Sequence, residues 1–167
     1  MSQVVILLGS KSDEDKVAPC AEILKDLGIS FVMTISSAHR TPDRTRKIVR
    51  EEEKAGARVF ICAAGMAAHL AGAVASFTAR PVIGIPLSSG SLAGMDALFS
   101  TVQMPSGFPV ATVALDQAGA RNAAWLAAQI LAVSDAFLLE KIEALRQGMR
   151  ENIQKDGDRL RLKYTAT

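Results

Sequence analysis

A three-layer α/β sandwich around one parallel sheet is the fold class this chain of 167 residues predicts. Short apolar runs alternate with segments of helical periodicity along the sequence. The first run, Val4-Val5-Ile6-Leu7-Leu8, is unbroken and largely β-branched, which suits a strand covered on both faces. Corners rich in Gly, Pro and hydroxyls separate these runs from the segments that follow them.

Taken in order, Val4 to Leu8 predicts a central strand stopped by Gly9, and Gly9-Ser10-Lys11-Ser12-Asp13 feeds a helix whose apolar residues run from Val17 to Leu27. Gly28 is its expected C-cap. Ile29 to Ile35 is a second strand, and a charged helix opens at Pro42, with Thr41 placed to cap it. That helix carries Arg, Lys and Glu at neighbouring turns, which reads as a solvated face. Val59 to Ala63 is a third strand. The small-residue run Ala64 to Ala75 predicts a buried helix that Pro81 stops, and Val82 to Ile85 a fourth strand. Leu92 to Val102 fits a short helix, Gln103 to Pro109 a stiff loop and Val110 to Leu115 a fifth strand. Asp116 is a candidate cap for a helix over roughly 118–132. A last helix from about Asp135 carries Leu138, Ile142, Leu145, Met149 and Ile153 on one stripe, placed to dock on another subunit, with a loose tail from Lys155.

A content of 49% hydrophobic residues suits a single domain, 1–167, with a real core. Lys+Arg 19 against Asp+Glu 17, interspersed along the chain, gives no basic face for nucleic acid. No apolar run is long enough for a membrane span or resembles a signal peptide, so a cytoplasmic location is expected. Cys20 and Cys62 lack metal-ligand spacing and read as small buried hydrophobes.

The strand order 2-1-3-4-5, flavodoxin-like, places the loops after the first and third strands at the reversal point where such sheets bind ligands. The loops must then decide function. After the first strand there is no G-x-G-x-x-G, and Ala63-Ala64-Gly65 stands where a phosphoacceptor domain needs Asp. Trp125 and Tyr164 lie too late in the chain for flavin-stacking loops. What remains is a corner, Ser36-Ser37-Ala38-His39-Arg40-Thr41-Pro42, that sets an imidazole and a guanidinium beside a helix start, together with a Gly/Ser loop able to cradle phosphate. Each corner also has a simpler reading as a loop that only caps the next helix, and for the Gly/Ser loop that reading is the commoner one. The chain's 2 histidines, His39 and His69, both follow predicted strands on the same sheet edge, and that coincidence favours a site.

Six segments in order resemble one family: Gly9-Ser10-Lys11-Ser12-Asp13, Ser37 to Pro42, Ala64 to Leu70, Pro81 to Pro86, Ser100 to Pro105, and Gly119-Ala120-Arg121-Asn122-Ala123. The chain resembles the carboxyaminoimidazole ribonucleotide mutases, the catalytic subunit of phosphoribosylaminoimidazole carboxylase, from Val4 to about Ile130. The resemblance implies an isomerase of purine biosynthesis that works without a cofactor. It moves the carboxyl group of the N-carboxy form of 5-aminoimidazole ribonucleotide onto ring carbon, CO2 being held in a closed pocket between loss and recapture.

By the same resemblance His39 is the acid and base. Ser10, Ser12, Asp13, Ser37, Ala38 and Arg40 bind substrate, with Arg40 and the serines on phosphate and Asp13 on ribose. Gly65, Ala67, Ala68, His69 and Leu70 wall the CO2 pocket. A homo-octamer is implied, functionally coupled to an ATP-dependent synthetase that supplies the substrate. A CO2-dependent carboxylase and a non-catalytic phosphate-ligand module are the alternatives. Glu14, Ala71 and Leu115-Asp116 depart from the family's usual Trp, Pro and Ile-Gly. Arg40 stands where the sister carboxylases usually have Lys.

Overall fold

In the computed structural model, which describes residues 1–165, five parallel strands form one sheet in the order β2-β1-β3-β4-β5. In chain order the elements are β1 (Val4–Leu8), α1 (Glu14–Leu27), β2 (Phe31–Ile35), α2 (Pro42–Lys54), β3 (Val59–Gly65), α3 (Leu70–Ala75), β4 (Val82–Leu87), α4 (Met95–Val102), β5 (Ala111–Thr112), α5 (Asp116–Ala132) and α6 (Ala136–Tyr164). The flavodoxin-like α/β sandwich read from the sequence is therefore the observed fold. β3, rather than β1, occupies the middle of the sheet.

All five residues of β1 are buried, and their alternation sorts them between two cores. Val4, Ile6 and Leu8 face α1 and α5, meeting Val17, Cys20, Leu24, Ala120, Ala123, Ala124 and Ala127. Val5 and Leu7 face the other way, onto Val49 of α2 and Leu70, Ala71 and Val74 of α3. An unbroken apolar run is what a strand covered on both faces requires, since neither parity can be polar. Each such Leu or Ile contributes roughly 1.5–3 kcal/mol by leaving water. Alanines make the first core tight: on α5 most buried positions carry only a methyl group, against the larger Val17, Cys20 and Leu24 of α1.

Several expectations give way to the structure. The run Ala64 to Ala75 is not one helix. β3 continues through Gly65, Met66 turns the chain at φ 56, and helix begins only at Leu70. That helix ends at Ala75, where the Ser76 hydroxyl donates to the Ala73 carbonyl at 2.7 Å, so Pro81 precedes β4 rather than stopping α3. β5 is only two residues long, Ala111 and Thr112 pairing with Ile83 and Gly84, and the chain turns at Asp116, whose φ of 52 is left-handed. Asp116 does not cap α5; its carboxylate is engaged elsewhere. Thr41 precedes α2 without a capping bond, its hydroxyl turning back to donate to the Ser37 carbonyl at 3.0 Å. The expected loose tail from Lys155 is helical as far as Tyr164. No proline interrupts it, and pairs such as Asp156 with Arg159 support successive turns.

Gly119, in the first turns of α5, lies over the carbonyl of Ala114, so a Cβ there would collide with backbone that has no room to give. Gly119→Ala is expected to cost about 2 kcal/mol or more of stability. Urea unfolding monitored by far-UV circular dichroism checks this.

Candidate active site

β1 is in register with both of its neighbours, Leu8 opposite Ile35 of β2 and Ala63 of β3. β1 and β2 therefore end at one level, β3 runs two residues further to Gly65, and the loops leaving the three strands meet. They enclose a cleft of about 510 Å³ lined by residues 9, 10, 12 and 13, by 37–40, by 64–70 and by Ser89. Depressions along α6 (570 Å³) and beside β2 (620 Å³) are as large, so volume does not distinguish the cleft. Its side chains do.

The first loop is a 3-10 turn, Lys11–Asp13, capped by Ser10, whose hydroxyl accepts from the Ser12 amide at 3.4 Å and from the Ser12 hydroxyl at 3.0 Å. Asp13 precedes α1 yet makes no side-chain capping bond. Its half-buried carboxylate lines the cleft instead. Burial pushes that carboxyl up from the usual aspartate range, against the Ser10 amide, the Ser12 hydroxyl, Lys16 and Arg40, which favour its charged form.

In the second loop Ser37 acts as a local hub. Its hydroxyl accepts from the Arg40 amide at 3.2 Å and from Arg40 Nε at 3.4 Å. Below it, Ser36 and Thr45 share a buried hydroxyl–hydroxyl bond of 2.8 Å that fastens the corner to α2. Arg40 then reaches across the reversal point and donates from Nη2 to the Gly9 carbonyl at 3.1 Å. A guanidinium has five N–H donors, so after these contacts it can still hold an anion.

The third loop brings His69, at the N-cap of α3, over His39. Their rings are nearly parallel, 13° apart in plane, with centroids 5.7 Å apart, and both imidazoles are exposed to the cleft. Around them Ala67, Ala68, Leu70 and Gly65 offer methyl groups and bare backbone. The arrangement can bind an anion at Arg40 and the Ser10–Ser12 turn, accept hydroxyls at Asp13, and move a proton at an imidazole beside an apolar wall.

All twelve residues named as site candidates line this one cleft: Ser10, Ser12, Asp13, Ser37, Ala38, His39, Arg40, Gly65, Ala67, Ala68, His69 and Leu70. Gly9, Ala64, Met66 and Ser89 join them unanticipated. Ser89 comes from the hydroxyl-rich loop after β4, visible in the sequence but without a partner there to single it out. Gly65 lies so close to the Ser89 hydroxyl that any side chain at position 65 would displace it.

The departures are accommodated. Glu14 pairs with Lys11 at the surface, and Ala71 is buried in the first turn of α3. Asp116 accepts from the Ser88 amide at 2.9 Å and from its hydroxyl, and pairs with Lys16 at 3.0 Å. The two cysteines are buried thiols, Cys20 pushed up to about 12 by burial and Cys62 raised further by the same cause. Among the described residues no group of His, Cys, Asp or Glu is arranged to hold a metal, and no helix is long and apolar enough to cross a membrane.

Comparison with known proteins agrees with this fold. The family model for AIR carboxylase matches residues 3–152. The N5-carboxyaminoimidazole ribonucleotide mutase of Saccharolobus solfataricus is 46% identical over 153 residues, covering 92% of this chain and 96% of that protein. The protein of the same name from Thermotoga maritima is 45% identical over 160 residues, 96% of this chain and 92% of its own. Among solved structures, Treponema denticola PurE superimposes with a TM-score of 0.86 at 32% identity, over 94% of this chain and 97% of that one.

Burial raises the Asp116 carboxyl, but hydrogen bonds from Ser88 and Lys16 outweigh it and leave the group below its ordinary value. Its contribution to stability is therefore complete above the unfolded value of about 3.9 and is lost as pH falls through the folded one. Asp116→Asn is expected to flatten the acid limb of the unfolding free energy below about pH 4, read from urea titrations across pH.

Proposed function

The chain belongs to the AIR carboxylase family, and from that membership we propose that it converts the N-carboxy form of 5-aminoimidazole ribonucleotide to the isomer carboxylated on ring carbon, a step of purine biosynthesis. It is an isomerase. The observation that carries the reading is the stacked His39 and His69 beside the Arg40–Ser10 anion site, with small apolar side chains around them.

Arg40 and the Ser10–Ser12 turn hold the phosphate, where a guanidinium and hydroxyls supply charge-assisted hydrogen bonds. Asp13 accepts hydrogen bonds from the ribose hydroxyls. With the ring fixed at that end, the exocyclic nitrogen and the neighbouring ring carbon face the histidines. His39 gives a proton to the exocyclic nitrogen as its bond to the carboxyl carbon breaks and CO2 departs. CO2 stays beside Gly65, Ala67, Ala68 and Leu70, whose methyl groups and bare backbone offer water few hydrogen-bond partners. The ring carbon attacks it, and His39 takes up the proton which that carbon sheds. The proton count closes, so no redox or group-carrying cofactor is called for. His69 packs its ring on His39 and keeps the imidazole edge turned toward the substrate.

We further assign the chain to the cytoplasm, functionally coupled to an ATP-dependent synthetase that makes its unstable substrate, and to a homo-octamer. Support for assembly comes from apolar side chains left outside both cores: Met95, Phe99 and Val102 on α4, and Leu145, Met149 and Ile153 on α6. Light scattering of the purified protein should give eight chains per particle. A monomer would remove this part of the reading.

His39→Asn is expected to lower turnover of the N-carboxy substrate by about a thousandfold while nucleotide binding changes little. Absorbance of the ring-carboxylated product, with no ATP present, reads the first quantity and calorimetry with 5-aminoimidazole ribonucleotide the second. Product formed only from aminoimidazole ribonucleotide plus bicarbonate would assign the chain to direct carboxylation instead. Tight binding without turnover of either would leave a binding module.

A further inference from the structure

The reaction as drawn leaves one polar network unused, and it lies against the cleft. Lys16 of α1 donates from Nζ to the Ser88 hydroxyl at 2.8 Å and to the Ser88 carbonyl, and pairs with Asp116 of α5 at 3.0 Å. Asp116 in turn accepts from the amide and the hydroxyl of Ser88. Every hydrogen-bonding group of Ser88 is thus held by two charged side chains from different helices. Asp116 occupies this place at a φ of 52, a conformation that disfavours side chains bearing a Cβ. The four hydrogen bonds to Ser88 join positions 72 and 28 residues apart in sequence.

Between Ser88 and Gly94, which is buried against Ser88 and Leu115, the chain is half-buried or exposed. Gly90, Ala93 and Gly94 all have positive φ, and Gly90 has nothing within 4 Å of where a side chain would begin. Of the described residues lining the cleft, only Ser89 comes from beyond β4, and its hydroxyl has no hydrogen-bond partner among them. It sits over the bare backbone of Gly65.

We infer that Lys16 and Asp116 are positioning residues which, by clamping Ser88, hold the Ser89 hydroxyl at the β4 side of the cleft to hydrogen-bond the bound ribonucleotide. The inference rests on the ribonucleotide reading above. Neither charged residue touches substrate. A neutral hydrogen bond of this kind changes affinity about two- to tenfold, and an unordered loop forfeits it.

The experiment compares wild type with Lys16→Met, Asp116→Asn, Ser89→Ala and the Asp116→Asn/Ser89→Ala double variant. Each single variant should raise KM for the N-carboxy ribonucleotide about two- to tenfold with kcat within about twofold, the signature of lost uniform binding. The double variant should be no worse than either parent, since both remove one contact. Hydrogen exchange at residues 89–93 should quicken in the two clamp variants and not in Ser89→Ala. Lys16→Arg, which keeps charge and donors, should restore KM and slow exchange.

Faster exchange with unchanged KM would reduce the network to a structural brace, and additive KM effects would separate it from Ser89; either overturns the proposal, as does unchanged exchange. Should wild type fail to turn over, the functional reading falls by itself. The Kd for 5-aminoimidazole ribonucleotide then replaces KM, with the same pattern expected.

Discussion

Parallel register at the ends of three strands is the constraint on which the rest of this molecule depends. Leu8 stands level with Ile35 and Ala63, so the loops leaving β1 and β2 start from one line and the loop leaving β3 starts two residues beyond it. A slip of one residue in either pairing would reverse the faces of a strand and move its loop by about 3.3 Å. The two imidazole rings would then no longer overlap. The register is in turn secured by burial on both faces: Val4, Ile6 and Leu8 fill one core while Val5 and Leu7 fill the other. Hydrophobic packing thus sets, from below, the spacing of the side chains that line the cleft above.

Polar ties at the top of the sheet refine what packing sets. Arg40 to the Gly9 carbonyl links the first two loops, and the Ser36–Thr45 pair fixes the second to its helix. Gly65 lets the third loop approach the segment after β4. Each tie costs little to keep, because backbone carbonyls and hydroxyls at strand ends need partners in any case. The same bonds that satisfy the backbone also hold the side chains that face the cleft.

Much of this was legible from local pattern. An unbroken apolar run announces a doubly covered strand, and Pro42 announces a helix start, so the corner at His39 and Arg40 could be placed before any coordinates. That the loops after the first and third strands meet followed from strand order, while the site residues within 10–13, 37–40 and 65–70 came from the family resemblance. What escaped depends on contacts between distant parts of the chain or on single dihedral angles. The run from Ala64 onward has helical composition, yet Met66 adopts a left-handed turn that delays helix until Leu70. Composition also misjudged the segment after Lys155, where charge reads as disorder but spaced opposite charges sustain a helix. Lys16, Ser88 and Asp116 carry no shared local signal at all. Asp116 looked like a cap because aspartate usually is one, and only the fold reveals the carboxylate turned toward α1.

The depth at which Cys20 and Cys62 lie has a practical corollary. Both sulfurs are enclosed by apolar neighbours and kept as protonated thiols, so neither presents the thiolate that maleimides and disulfide reagents attack. The native chain is accordingly a silent background for labelling. A single cysteine introduced at a surface position would carry a fluorophore or spin label alone, without first stripping the protein of its own sulfhydryls.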